Sequence, residues 1–218
     1  MKTALVFGSS GLIGGHLLNE LIKNDNYSKI KLFVRSDHGS NDSKTEIIKT
    51  DFNNLENHKE DIKGDDCFFC IGTTKQNSPD KNDYKRVELD VPKKIAQIAK
   101  SNLVNSFVFV SSGYADSNSS GDYLKFKGLV EEELKRLSFS KLGILRPSFL
   151  MGDRKEKRVG EKVGIFIFKL LSPLFLGPLK KMKPIHSKKV AKAMIKITNG
   201  DFKQNIFESN EIVEVSNS

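Results

Sequence analysis

The sequence predicts an α/β fold of the doubly wound kind, a parallel sheet covered by helices, with a small C-terminal lobe. Strand-like and helix-like segments alternate from the first residues. The first strand, TALVFG, passes through the glycine-rich turn GSSGLIGG straight into an apolar helical stripe. At 218 residues the chain suits one sizeable core, so residues 1–218 are expected to form a single domain.

The elements follow in order. Ile13, Leu17, Leu18, Leu21 and Ile22 recur at helical spacing after strand one, giving a helix over 12–22. KIKLFVR, TEIIKTDF and DDCFFCIG read as strands two to four. Val87, Val91, Ile95, Ile98 and Ala99 predict a helix over 84–100, with an irregularity at Pro92. NSFVFVSS is strand five, and Phe126, Leu129, Val130, Leu134 and Leu137 define one face of a helix over 121–137. KLGILRPSFL is strand six. The alternation then fails, and residues 151–184, a charged loop followed by a proline-broken apolar stretch, are assigned to most of a small substrate lobe or lid. A helix over 188–198, with Ser187 as N-cap, and the strand QNIFES return the chain to the main body, and EVSNS is expected to fray.

The formal charge of +9 suits an anionic partner, but the basic residues are scattered among acids and form no long block. KKMKPIHSKK has no interleaved aromatics, so no nucleic-acid partner is expected. The apolar segment 163–179 contains Lys169, Pro173 and Pro178 and falls short of the roughly 20 residues that span a bilayer, so no stable membrane insertion is expected. The start MKTALVFGSSG enters a strand directly, which reads as a cytoplasmic protein. Cys67 and Cys70 lie in an apolar strand, where positions three apart face opposite sides, and they read as reduced core thiols. His16, His38, His58 and His186 show no metal-ligand spacing, so no metal is expected.

A strand that ends in glycine and feeds a helix N-terminus leaves amide N–H groups unpaired, and that positive end attracts a diphosphate. Gly8 permits the tight turn, Gly11 lets phosphates approach the backbone, and Gly14 lets helix and sheet pack closely. The spacing is GxxGxxG rather than GxGxxG. Gly8, Ser9, Ser10, Gly11, Leu12, Ile13 and Gly14 are therefore the candidate cradle of a dinucleotide. Strand two ends in Arg35 and Ser36, and a guanidinium suits a 2′-phosphate, so NADP(H) is preferred over NAD(H). Asp37 is the competing feature, because an acid there serves a ribose hydroxyl.

With GSSGLIGG, FVRS, TDF, CIGTT, VSSGYAD, YLKFKG, LRPSFLMGDRKEKRVGE and VAKAM in this order, the chain resembles the atypical short-chain dehydrogenases/reductases, Rossmann-type proteins akin to NAD-dependent epimerases and dehydratases. Within them it is similar to the Tat-interacting oxidoreductase group and its bacterial relatives. The resemblance implies that Asp51 and Phe52 border the adenine. It also implies that Gly72, Thr73 and Thr74 lie in the loop by the central ribose and nicotinamide, and that Pro147 lies near the carboxamide.

Tyr123 and Lys127 stand four apart at the start of a helix and share a face, and the resemblance makes them the family's YxxxK. A nearby ammonium stabilises a phenolate, so Tyr123 is expected to act as general acid or base while Lys127 also holds the ribose. A hydroxyl from Ser111 or Ser112 completes the set; Ser112 is favoured as catalytic, with Ser111 beside the cofactor. The expected function is an NADP(H)-dependent oxidoreductase acting on a small carbonyl or alcohol. The alternatives are a cofactor-binding regulator that controls a partner, with GIFIFKLLSPLFLGPL as a contact surface for another protein or a membrane, and a sugar-nucleotide epimerase or dehydratase, disfavoured by the short lobe; a protein partner or homo-oligomer fits either case.

Overall fold

The computed structural model describes residues 1–36, 42–152 and 183–218. The expected lobe at 151–184 falls almost wholly outside the described residues, as do the apolar stretch 164–179, His38 and Asp37. Strands β1 (Lys2–Phe7), β2 (Tyr27–Val34), β3 (Thr45–Lys49), β4 (Asp66–Phe69), β5 (Ser106–Val110), β6 (Lys141–Arg146) and β9 (Ile206–Glu208) form one seven-stranded sheet in the order β3-β2-β1-β4-β5-β6-β9. Every pairing in it is parallel. A second, two-stranded parallel ribbon joins β7 (Leu150–Met151) to β8 (Ile185–His186). Among the described residues the α-helices are α1 (Leu12–Ile22), α2 (Lys81–Lys85), α3 (Val91–Ser101), α4 (Asp122–Leu137), α5 (Ser187–Asn199) and α6 (Ser209–Asn217).

Because both faces of a parallel sheet are covered, its central strands are apolar throughout, and alternate side chains enter different cores. Ala4 and Val6 pack with residues of α1, α5 and α6, whereas Leu5 and Phe7 pack with residues of α3 and α4. The two cysteines divide in the same way: Cys67 belongs to the α3/α4 core and Cys70 packs against the α1/α5 core. Both are free thiols. The α3/α4 face also carries a row of phenylalanines in register across four strands, with Phe33 opposite Phe7, Phe7 opposite Phe69, and Phe69 opposite Phe109. Their ring centroids lie 4.3, 6.0 and 5.9 Å apart. This aromatic floor lies just beneath the carboxyl edge of the sheet.

Several boundaries differ from the sequence expectation. The helix over 84–100 is three pieces: α2, a π-helical turn at Arg86–Asp90, and α3. Pro92, in the first turn of α3, has no N–H to give to the carbonyl four residues back, and Val91 donates to Arg86 O five residues back. Strand six ends at Arg146 because Pro147 cannot continue a ladder, and β7 is a separate piece. The N-cap of α5 is His186, whose Nδ1 accepts the Lys188 N–H at 3.3 Å, not Ser187, which is the first helical residue. The terminal EVSNS lies in α6 instead of fraying, because a Glu208/Glu211 capping box starts that helix and Ile212 and Val215 are buried.

At the amino edge, the Tyr27 hydroxyl donates to Asp66 Oδ2 at 2.7 Å and lies 3.0 Å from Thr198 Oγ1. Lys2 Nζ donates to the same carboxylate oxygen at 3.0 Å. This buried cluster ties β1, β2 and β4 to the end of α5. Tyr27→Phe is expected to cost about 1–3 kcal/mol by leaving a buried acceptor short of a donor. For a chain of this size that lowers the melting midpoint by roughly 2–4 °C per kcal/mol. An unchanged midpoint in a circular-dichroism melt would show that the cluster stabilises nothing.

Candidate functional site: a dinucleotide cradle and a buried ammonium

All of the sequence-predicted site residues lie in or next to the segments that leave the carboxyl ends of β1 to β6, the edge at which open α/β sheets bind ligands. At the end of β1 the chain turns with Gly8 at φ 92°, a conformation open to glycine and strained for other residues. A Cβ on Gly8 would lie 2.9 Å from backbone atoms of Cys70 and Ile71, and one on Gly14 would lie 2.0 Å from Gly8 O. Gly11 N–H donates to Gly8 O at 3.1 Å and closes the turn. Gly8 and Gly14 therefore serve backbone approach within the protein, while Gly11 lies exposed at the mouth as the N-cap of α1.

Gly11 supplies no side-chain cap, so the first-turn amides, Leu12 and Ile13 among them, depend on an outside acceptor. Ser9 is buried, and among the described residues its Oγ has no hydrogen-bond partner. Ser10 is exposed beside it. Unmet donors around a side-chain-free mouth fit a diphosphate and so the dinucleotide expected there. Arg35 and Ser36 are exposed at the end of β2.

Beyond β3, Thr50 Oγ1 accepts the Phe52 N–H at 3.1 Å, and Phe52 sits at φ 64° with its ring 6.5 Å from that of Phe7. The Asp51 carboxylate turns back on its own loop, accepting the backbone N–H of Asn53 at 2.9 Å and its side-chain amide at 2.8 Å. These bonds, the backbone one first, hold the carboxyl below its ordinary value. After β4, Gly72 is exposed, the Thr73 hydroxyl lies 2.9 Å from Ser78 Oγ, and Thr74 Oγ1 accepts the Asn77 N–H at 3.2 Å. Pro147 is buried and its carbonyl accepts the Gly113 N–H at 3.0 Å, which ties the loop after β5 to the loop after β6.

Tyr123 and Lys127 share a face in the first turns of α4, as their spacing predicts. Tyr123 is 38% exposed, whereas Lys127 is buried. The Lys127 ammonium lies 6.0 Å from the centre of the Tyr123 ring and 4.9 Å from that of Phe109, and it donates to Val110 O at 3.3 Å. Its counter-ion is Glu88 Oε2 at 3.0 Å, from the π-helical turn. Burial alone would lower the lysine pKa, but Glu88, followed by Tyr123 and then Glu131, offsets this and holds it above the ordinary value.

The two serines after β5 differ in freedom. Ser111 is buried and donates to Glu131 Oε1 at 2.6 Å. Glu131 also takes both Nε (2.9 Å) and a terminal nitrogen (2.5 Å) of Arg146. Ser112 is partly exposed, and among the described residues its hydroxyl makes only a 3.3 Å bond, to Gly113 O. Sequence reasoning did not single out Glu88, Glu131, Arg146 or Gly128. A Cβ on Gly128 would lie 2.2 Å from Ser117 N, so this mid-helix glycine admits the loop after β5. Its place one residue after Lys127 was the only signal.

Burial pushes both thiols up, Cys70 to about 12 against the opposing pull of Lys127, so they stay protonated near neutrality. Among the described residues no cluster of three or more His, Cys, Asp or Glu could hold a metal ion. No described helix is long and apolar enough to cross a membrane.

Fold and cradle together define a Rossmann-type NAD(P)-binding protein. The chain belongs to the NAD(P)H-binding family, whose pattern matches residues 8–200. Among characterised sequences it is similar to Protein HTATIP2 of Rattus norvegicus, 34% identical over 166 residues that cover 73% of this chain and 67% of that one. It is also similar to Protein FMP52, mitochondrial, of Eremothecium gossypii, 29% identical over 97% of this chain and 96% of that one. Its fold matches the UDP-N-acetylglucosamine 4-epimerase of Methanobrevibacter ruminantium, with a TM-score of 0.70 and 19% identity, over 98% of this chain and 80% of that one. The epimerase bears out the fold alone, and the sequence relatives with the family match bear out the resemblance to NAD(P)-binding proteins of the HTATIP2 group. They overturn the cytoplasmic expectation, because the fungal FMP52 relatives are named mitochondrial. The cytoplasmic expectation rests on the first strand, and a strand reports how a domain folds, not where the protein resides.

Gly14→Ala forces a methyl group into Gly8 O, a contact of 2.0 Å. Overpacking of this kind costs about 1–3 kcal/mol and displaces the amides of the turn. Calorimetry with NADPH is expected to show at least about tenfold weaker binding, which corresponds to about 1.4 kcal/mol. Unchanged affinity would mean that the turn does not hold the cofactor.

Proposed function

We propose that the protein is an NADP(H)-dependent oxidoreductase that interconverts a small carbonyl compound and its alcohol by hydride transfer. The observation that carries this reading is a buried ammonium one helical turn from a partly exposed tyrosine, at the ligand-binding edge of the sheet. A protein that only bound cofactor would need no such pair. A bound NADPH supplies the hydride.

The chain's own residues handle binding and the proton. The glycine turn receives the diphosphate on its amides, and Arg35, exposed at the end of β2, suits the 2′-phosphate. Lys127 places its ammonium 6.0 Å from the centre of the Tyr123 ring, where its charge steadies the phenol oxygen as the proton moves. Tyr123 then gives its proton to the substrate oxygen during reduction and takes one back in the reverse direction. Ser112 donates a hydrogen bond to the same oxygen. It is preferred to Ser111, whose hydroxyl is committed to Glu131.

Purified protein with NADPH and a panel of small carbonyl compounds should show cofactor oxidation at 340 nm. Tyr123→Phe is expected to lower kcat/KM by roughly 10²–10⁴, the usual contribution of a general acid. Full activity in that variant would remove the mechanism. Arg35→Ala should weaken NADPH binding about 10–100-fold, in line with losing a hydrogen bond between charged groups, and leave NADH binding unchanged. Equal effects on both cofactors would assign Arg35 no role at the 2′-phosphate.

A further inference from the structure

Glu88 makes two contacts that join separate parts of the site. Its Oε2 meets the Lys127 ammonium at 3.0 Å, with both side chains almost fully buried, and this ion pair is the only polar contact of that oxygen among the described residues. Its Oε1 accepts the Thr73 N–H at 2.5 Å, in the loop after β4. The π-helical turn at Arg86–Asp90 presents this carboxylate. We propose that Glu88 is a positioning residue that fixes the Lys127 ammonium beneath Tyr123, locks it to the Thr73 loop, and keeps it charged where water is excluded.

Burying two charges is costly, and an apolar pair of the same size would fill this space without that penalty. An ammonium at this depth without a counter-ion would give up its proton at a lower pH than a surface lysine does. Among the described residues, the groups that face it leave no substitute for Glu88. From α4 come Tyr123, neutral until it ionises, and Glu131, which is committed to Arg146 and Ser111. From the end of β4 comes the Cys70 thiol, pushed up to about 12 by burial and therefore uncharged near neutrality. The neighbouring part of β5 offers only the Phe109 ring and the Val110 carbonyl. The ammonium donates one hydrogen bond, to Val110 O, and faces Glu88 as an ion pair, which leaves donor capacity for a ribose hydroxyl.

The inference rests on the proposed roles of Tyr123 and Lys127, and two readouts separate its failure from theirs. In protein carrying 13C-labelled lysine, the Lys127 Cε signal is the one lost in Lys127→Arg. It is expected to remain at its ammonium position at a pH where the surface lysines have half titrated. In Glu88→Gln the same signal should titrate before the surface lysines. NADPH affinity, followed from pH 7 to 10, should stay level in the native protein. In Glu88→Gln it should lie within about threefold of native at pH 7 and fall at least about tenfold by pH 10, the loss of one charged contact.

A purely structural role would lower the melting midpoint of Glu88→Gln but leave the two pH curves parallel, and that result overturns the proposal. So does a native Lys127 that titrates with the surface lysines. Should Glu88→Gln fail to fold, Glu88→Asp, which keeps the charge, must hold Lys127 above the surface lysines, and the native titration still decides. If NADPH binds neither protein, the cofactor reading falls while the Lys127 titration still tests the pair. If Tyr123→Phe abolishes turnover yet Lys127 titrates normally, only the role of Glu88 falls.

Discussion

The arrangement of the site depends on main chain lying against main chain where β1 and β4 reach the same edge. Gly8 rests on Cys70 and Ile71, and Gly14 rests on Gly8, with no room for a methyl group at either place. Because those contacts are made, α1 starts at the mouth of the turn with its first amides uncapped. The Thr73 loop follows directly from the same stretch of β4 backbone, so one steric fit sets where the diphosphate docks and where the next loop begins. A side chain at Gly8 or Gly14 would move both.

Beneath this edge the phenylalanine row gives the site a rigid floor. Phe109, at one end, lies under the Lys127 ammonium and offers it the negative face of a ring; Phe7, in the middle, stands near Phe52. Tyr123, Lys127 and Glu131 follow one another at four-residue steps along α4, so a single helix face carries a phenol, a cation and an anion. The anion holds Ser111 and Arg146 and binds β5 and β6 to the helix. The cation turns to Glu88. Each buried charge therefore has its own partner, which low-dielectric surroundings require.

What the sequence reveals follows from how local each feature is. The glycine turn is legible because a strand, a turn and a helix start are adjacent in the chain, and Tyr123 with Lys127 because four residues make one helical turn. The split cysteines were legible because strand side chains alternate. Glu88 was hidden: its approach to Lys127 needs a π-helical turn and a partner distant in sequence, and a lone Glu in RVELD looks like a solvated helix face. Gly128 was hidden because the backbone of Asp116 and Ser117, which packs on it, belongs to another segment. The helix over Ser209–Asn217 was missed because its polar end outweighed its capping box and its two buried apolar residues. The NADP preference hangs on Arg35 and on Asp37, and the second lies outside the described residues.

The short ribbon of β7 and β8 has a consequence for how such proteins diversify. Leu150 pairs with Ile185 and Met151 with His186, so the intervening chain departs and returns at neighbouring points, beside Leu12 at the mouth of the glycine turn. Lengthening a segment anchored this way costs only a logarithmic loop-closure entropy, about 0.6 kcal/mol per doubling. The parallel sheet needs no change to accept it. An insertion here would leave the glycine turn and the sheet as they are, so chain length can vary between these anchors on an unchanged cofactor platform.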